Sequence, residues 1–247
     1  MLEVKHLTKI FNKKDAHTKT VTQVGVKDIS FVAQPGRICG FIGANGAGKT
    51  STMRMLAGLT QPDSGQISLY GQPYKNLKDL KKKISFVSAE TQIFDRLTPH
   101  EILSFYGQLA DIPQKELEKN IDELAEKLEM KTFLDTRCAQ FSTGMKQKVS
   151  LARGLITQPS VLIFDEVTNG LDIFASQALK DIIKELKADH RIIMYSTHTM
   201  PDADELCDDV AVIHEGMIKA VGAVSELHKK YHTTKIHDLF FKIIQPS

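Results

Sequence analysis

The stretch "RICGFIGANGAGKTSTMRML", residues 37–56, decides the fold. It opens with an apolar run that reads as a buried strand, passes through a glycine-rich turn, and continues into "TMRML", which has helical spacing. Between strand and helix, Gly43-Ala44-Asn45-Gly46-Ala47-Gly48-Lys49-Thr50 fits the pattern G-x-x-x-x-G-K-[ST]. That pattern is a loop whose backbone N–H groups wrap the phosphates of a nucleotide. Its glycines let the chain turn until the amides face an anion, and the positive end of the next helix favours negative charge there. Lys49 would reach the β- and γ-phosphates, the Thr50 hydroxyl would bind Mg²⁺, and Ser51 would complete the binding run. A chance glycine loop need not sit between an apolar strand and a helix, as this one does.

Working outward, the N-terminal part reads as short strands, "LEVKHLTKIF" and "VKDISFVAQ", with the polar "NKKDAHTKTVTQ" as a hairpin loop and Pro35-Gly36 as a turn. "QPDSGQISLYG" reads as a turn and a strand. From 99 to 137 the pattern changes. Ile102, Leu103, Tyr106 and Leu109, then Ile121, Leu124, Ala125 and Leu128, recur at helical intervals, with Pro113 dividing the runs. This predicts a mostly helical insertion of about two helices, spanning about residues 95–140. From 145 onward, helical patterns alternate with apolar strands such as "SVLIFDE", "RIIMYSTH" and "DVAVIHEG". Such alternation predicts a largely parallel α/β sheet, with the N-terminal β pieces packed at its edge. "AVSELHKKYHTTKIHDLFFKII", from residue 223, reads as a short helical tail. The expected fold is therefore an α/β nucleotide-binding domain over residues 1–247, with an N-terminal antiparallel β part and an inserted helical part.

Composition narrows the function less. The chain has 247 residues, 42% of them hydrophobic and 25% charged, as ordinary globular proteins do. A net charge of +2, from scattered basic residues, gives no reason to expect a nucleic-acid partner. Lys81-Lys82-Lys83 reads as a solvated helix face. Cys39, Cys138 and Cys207 lack paired or metal-ligand spacing and read as reduced thiols in the cytoplasm. "MLEVKHLTKIF" lacks the apolar core of a signal peptide, and no apolar run approaches the roughly 20 residues of a membrane-spanning helix.

"SVLIFDE" ends an apolar strand in two acids, Asp165 and Glu166. Beside a phosphate loop, Asp165 suits the acid that holds Mg²⁺, and Glu166 suits a general base for an attacking water. The order phosphate loop, "FSTGMKQK", "VLIFDE", "NGLD", "STH" resembles the ATP-binding cassette family over nearly the whole chain. The resemblance implies that Ser142, Thr143, Gly144 and Met145 belong to the signature motif, with Ser142 and Gly144 presenting a hydroxyl and an amide to a γ-phosphate held by a second copy. It further implies that Asp172 organises the dimer contact, that His198 contacts the γ-phosphate, and that Phe11 stacks on adenine. One position departs from the family. Where relatives carry a glutamine that touches Mg²⁺, this chain has Ala89, which cannot ligate a metal, and Glu90, Gln92 or water would have to substitute. "ETQIFDRLT" and "FSTGMKQKV" together look like the NatA-type sodium-efflux exporters.

On this resemblance the chain is expected to be the ATP-hydrolysing subunit of an exporter, with ATP and Mg²⁺ as cofactors. Its partners would be a second cassette, docked head to tail on ATP binding, and multi-span membrane permease subunits, and its location the cytoplasmic side of the membrane. The helical insertion with the 86–94 loop would grip the membrane subunit. A non-transport cassette ATPase acting on ribosomes or DNA, and a small-molecule kinase, are the alternatives. The first usually has two cassettes or a long coiled-coil insertion, and the second would leave "FSTGMKQ", "NGLD" and "STH" unexplained.

Overall fold

The structure, a computed structural model, describes residues 1–14, 21–74, 83–89 and 93–245. Its centre is a six-stranded sheet in the order β10-β9-β3-β8-β7-β6. These strands are β3 (Arg37–Ile42), β6 (Ile84–Ser88), β7 (Val161–Asp165), β8 (Ile192–Thr197), β9 (Asp209–His214) and β10 (Met217–Ala223). All neighbours pair in parallel except β9 and β10, which form an antiparallel hairpin. The inner strands are buried on both faces, which is why they read as continuous apolar runs. Their side chains still alternate in direction. Leu162, Phe164, Ile193 and Tyr195 face one apolar cluster, and Val161, Ile163, Ile192 and Met194 face another.

The N-terminal strands do not extend the edge of that sheet. β1 (Leu2–Lys14), β2 (Val21–Ala33), β4 (Ser64–Leu69) and β5 (Gln72–Pro73) form a separate antiparallel sheet, ordered β2-β1-β4-β5. Leu2, Val4, Leu7, Val26, Ile29 and Phe31 share one cluster with Cys39, Phe41 and Met194 of the central sheet, so the two sheets are separate layers over one core. The stretch expected as a hairpin loop is shorter than expected. Asn12 pairs with Gln23 and Lys14 with Val21, because a backbone ladder forms with polar residues as readily as with apolar ones at an exposed end. Residues 15–20 lie outside the described residues.

α1 (Lys49–Leu56) follows the glycine loop and packs Met53, Met55 and Leu56 into the cluster that the two sheets share. The other face of the central sheet carries the remaining helices, among which α2 (Pro99–Leu109) and α3 (Gln114–Lys127) form the insertion, meeting at Pro113, which is the N-cap of α3. α2 starts at a capping box between Thr98 and Glu101, with Pro99 at its first position. α4 (Thr143–Leu155), α5 (Ile173–Ala188) and α6 (Met200–Leu206) complete the α/β alternation. The tail is two helices, α7 (Val224–Tyr231) and α8 (Ile236–Ile244). Leu227, Ile236, Leu239 and Phe240 pack with Ile42, Val210 and Val212, so the tail covers the end of the sheet beyond the glycine loop's strand.

Three details correct the sequence-based expectations. Residues 86–88 belong to β6 rather than to a loop, since "ISFVS" is a short apolar strand hidden between polar flanks. β10 had no strand signal, because Gly222 and three exposed positions dilute its pattern. Lys83 is exposed in a turn rather than on a helix, while Lys81 and Lys82 lie outside the described residues.

Candidate active site

The glycine loop joins the end of β3 to α1. Gly48, at φ 110°, sits in the left-handed region as the N-cap of α1, and no side chain caps the helix, so its first amides stay open for an anion. Gly43 is needed for close approach, because a Cβ there would stand 2.3 Å from the carbonyl oxygen of Ile213. The Gly216 N–H donates to the Ala47 carbonyl at 3.0 Å, which straps the loop to the β9–β10 turn. Ala44, Asn45 and Gly46 are exposed on the outer side, while Ala47 is buried and Ser51 half-buried.

Lys49 is buried. Its Nζ donates to the carbonyls of Gly43 at 2.8 Å and Ala44 at 3.3 Å, and pairs with Glu166 Oε1 at 3.2 Å. The same Glu166 oxygen stands 3.3 Å from His198 Nδ1. Glu166 has φ 51°, an uncommon left-handed backbone for a residue with a side chain, and such strain gathers at functional sites. Neighbouring hydrogen bonds hold it: its N–H donates to the Ser196 carbonyl at 3.1 Å, and Asn169 Nδ2 donates to Glu166 Oε2 at 2.7 Å. Burial pushes the Glu166 carboxyl up, but the hydrogen bonds from His198 and Lys49 outweigh it and hold it below its ordinary range.

One residue earlier, Asp165 is buried at the end of β7, and burial raises its carboxyl. Hydrogen bonds from Ser196 Oγ and Thr50 act against that rise. A hydroxyl and a carboxylate brought together in this way suit Mg²⁺, a hard cation that takes oxygen ligands and keeps several waters or phosphate oxygens. Among the described residues no group of three His, Cys, Asp or Glu side chains could hold a metal, so such an ion would depend on the nucleotide as well. Thr50, Asp165 and Glu166 line one cavity of about 220 Å³ together with Arg54, Phe86, Ser88, Ala89 and Asn169. Ala89 therefore does stand at this site, with only a methyl group to offer, and its N–H donates to the Asp165 carbonyl at 3.3 Å. Glu90 and Gln92 lie outside the described residues.

The remaining expected residues stand apart from this cluster. Ser142 is the N-cap of α4, its Oγ accepting from the Met145 N–H at 3.3 Å, and Ser142 and Thr143 are exposed. Met145 packs partly into the helical core, so it anchors this helix end. Asp172 caps α5 in the same manner, accepting from the Ala175 N–H at 2.9 Å. Ser142, Gly144, Met145 and Asp172 line a second cavity of about 220 Å³ that shares no residue with the first. Phe11 is exposed on β1. Two contributors carried no individual expectation, Ser196 and Asn169. Both lay inside quoted motifs, "STH" and "NGLD", yet hydroxyl and amide side chains are so common that only the fold shows them touching the acids.

Comparison with known proteins supplies the wider setting. A family model described as ABC transporter matches residues 26–169. The chain is 35% identical over 217 residues to the ABC transporter ATP-binding protein NatA of Bacillus subtilis, covering 87% of this chain and 88% of that protein. A solved ATP-binding subunit of an ABC transporter superposes with a TM-score of 0.84 at 27% identity, over 99% of this chain and 100% of the other. A dimeric ATP-binding cassette in a post-hydrolysis state, bound to ADP and Pi, matches with a TM-score of 0.77 over 91% of this chain and 99% of the other, and at 21% identity shows the shared fold.

Proposed function

The chain belongs to the ABC transporter family as an ATP-binding subunit with ATPase activity, and we propose from this how its residues divide the work. ATP lies against the glycine loop, with its phosphates on the amides of Gly43 to Ser51 and on Lys49. Phe11 stacks on the adenine, an exposed ring being free to do so. Thr50 and Asp165 would hold Mg²⁺, which would supply positive charge to offset the negative charge of the phosphates. Glu166 accepts a proton from the attacking water, whose oxygen bonds to the γ-phosphorus as the bond to ADP breaks, and His198 donates to the γ-phosphate. Lys49 and His198, which pair with Glu166 in this structure, would turn to the phosphates and leave that carboxylate to the water.

The second half of each site comes from another copy, docked head to tail. The single observation that carries this reading is the division of the molecule: Lys49, Glu166 and His198 interlock in one place, while Ser142 and Gly144 line a different cavity. The open amides at the start of α4 are built for an anion that their own subunit does not supply. Asp172 sits beside them and steadies the dimer contact. Two cassettes would close on ATP and part after hydrolysis, passing the motion through the 95–140 insertion to membrane-spanning permease subunits on the cytoplasmic side. Among the described residues no helix is long and apolar enough to cross a membrane, and the transport path is assigned to the permease subunits. Export is the proposed direction, and sodium the cargo that the NatA-like stretches suggest.

The test is co-purification of the tagged chain from its own membranes, followed by flux measurements in vesicles. A multi-span partner and ATP-driven Na⁺ movement are expected. Robust phosphate release with no membrane partner would overturn the transporter role, and partner-dependent hydrolysis without Na⁺ movement would overturn the cargo alone.

A further inference from the structure

Behind the acids lies a polar cluster that the proposed hydrolysis does not use. Asp202, in the first turn of α6, is 8% exposed. An acid there would ordinarily face solvent and favour the helix start through its charge. Instead its Oδ2 accepts from Thr168 Oγ1 at 2.9 Å and from the Tyr195 hydroxyl at 3.5 Å, while Thr168 and Tyr195 stand 3.3 Å apart. Tyr195 is fully buried in β8, and burial raises its phenol well above the usual range, so it stays a neutral donor. Oδ1 of Asp202 pairs with Lys180 Nζ of α5 at 3.5 Å, and Lys180 also holds Glu205 at 2.5 Å.

The positions of these residues matter more than their number. Thr168 is two residues after Glu166, on the same turn, and the Leu171 N–H returns to the Thr168 carbonyl at 3.3 Å. Asp202 is four residues after His198, on the helix that His198 leads into. The two side chains that meet at 3.3 Å beside the glycine loop therefore sit on two separate segments, tied together from behind by one carboxylate and two hydroxyls. A buried carboxylate is costly unless it is well bonded, and Asp202 commits Oδ2 to this junction while Oδ1 is held by Lys180.

We propose that Asp202 is a positioning residue for hydrolysis: through Thr168 and Tyr195 it fixes the turn bearing Glu166 against the segment bearing His198, setting their spacing before nucleotide arrives. This rests on the reading above that Glu166 and His198 face the attacking water and the γ-phosphate. Misplacing a reacting group by about 1 Å can cost about 100-fold in rate, and a loosened hydrogen-bonded junction should cost part of that.

The test uses the full chain and compares Thr168→Val, Thr168→Ser, Asp202→Ala and the Thr168→Val/Asp202→Ala double variant. Thr168→Val and Asp202→Ala should each lower kcat about tenfold with KM for ATP unchanged, Thr168→Ser should restore most of the rate, and the double variant should be no slower than the worse single one. A lower melting temperature with wild-type kcat, losses that multiply in the double variant, or a Thr168→Ser variant as slow as Thr168→Val would each overturn the proposal. Should Asp202→Ala fail to fold, the near-isosteric Thr168→Val and its serine rescue decide the matter alone. Glu166→Gln measured beside them separates the two levels. If Glu166→Gln is inactive while Thr168→Val is normal, only the role of Asp202 fails, whereas full hydrolysis by Glu166→Gln removes the reading beneath it.

Discussion

The two halves of the candidate site differ in how they are held. In the half around the glycine loop, the central charged groups find partners inside the chain: Lys49 binds two loop carbonyls and Glu166, and Glu166 binds His198 and Asn169. At the start of α4, Ser142 satisfies one amide, Ser142 and Thr143 are exposed, and only Met145 packs partly into the core. The first half is closed on itself, and the second is left open. The difference teaches that chemistry and completion are separate tasks here, so substitutions in each half should fail in different ways.

The sharpest break is Glu166→Gln. A general base contributes about 10²- to 10⁴-fold, so hydrolysis should fall by that factor while ATP binding to the monomer persists. Phosphate release and equilibrium nucleotide binding on the same protein check it. A variant that hydrolyses at the wild-type rate would mean the closed half is only a structural knot.

Next is Gly144→Val, which acts on the open half. A Cβ at this position would meet the Ala175 Cβ at 3.1 Å, so a branched side chain must displace one helix start or project over the exposed face. Hydrolysis that needs two copies should drop about 10- to 100-fold, the cost of misplacing groups at a reacting centre. Monomer ATP affinity should not move. Light scattering with ATP, in the Glu166→Gln background, should show the dimer lost. Loss of monomer binding instead would mean that the two halves are one.

How much of this contrast was legible beforehand depends on the kind of residue. The strand–loop–helix around Gly43–Thr50 was legible because glycine, lysine and hydroxyl spacing is dictated by a backbone that must wrap phosphates. The parallel sheet was legible because strands buried on both faces must be apolar throughout, as β7 and β8 are. The antiparallel N-terminal β part was legible too, but its place as a layer over the core rather than at the sheet edge was not, since strand patterning fixes which side is buried and not which layer it is buried against. Nor was the clamp of Ser196, Asn169, Thr168 and Asp202 on the acidic turn. Polar residues announce themselves through partners, and theirs are up to 34 positions away in sequence.

A smaller effect tests the support behind the closed half. Burial would raise the Glu205 carboxyl, but hydrogen bonds from Lys180, Lys184 and Gln177 outweigh it and hold it down at about 2. A carboxyl lowered from 4.5 in this way adds stability that is fully present above pH 4.5 and is lost as pH falls through about 2. Glu205→Gln should therefore cost about 2 kcal/mol at neutral pH, with the two proteins converging in acid. Denaturant unfolding at several pH values checks this. A gap that stays constant down to pH 2 would assign the loss to packing rather than charge.

The smallest expected effect separates the two meanings of Ser142. As the N-cap of α4 its hydroxyl satisfies one amide, a contribution of about 1 kcal/mol, so Ser142→Ala should lower the melting temperature of the nucleotide-free protein by only a few degrees. Asparagine caps as well as serine does, so Ser142→Asn should restore the melting temperature. It is bulkier, however, and its amide cannot reproduce the serine hydroxyl at a phosphate held by another copy. Recovery of stability without recovery of hydrolysis would show that the cap and the phosphate contact are distinct demands on one side chain. Recovery of both would reduce Ser142 to a cap and leave the outward amides of Thr143 and Gly144 to meet the phosphate. A loss of several kcal/mol in Ser142→Ala would go further, because the open half would then be as self-supporting as the closed one, and the contrast between them would fail.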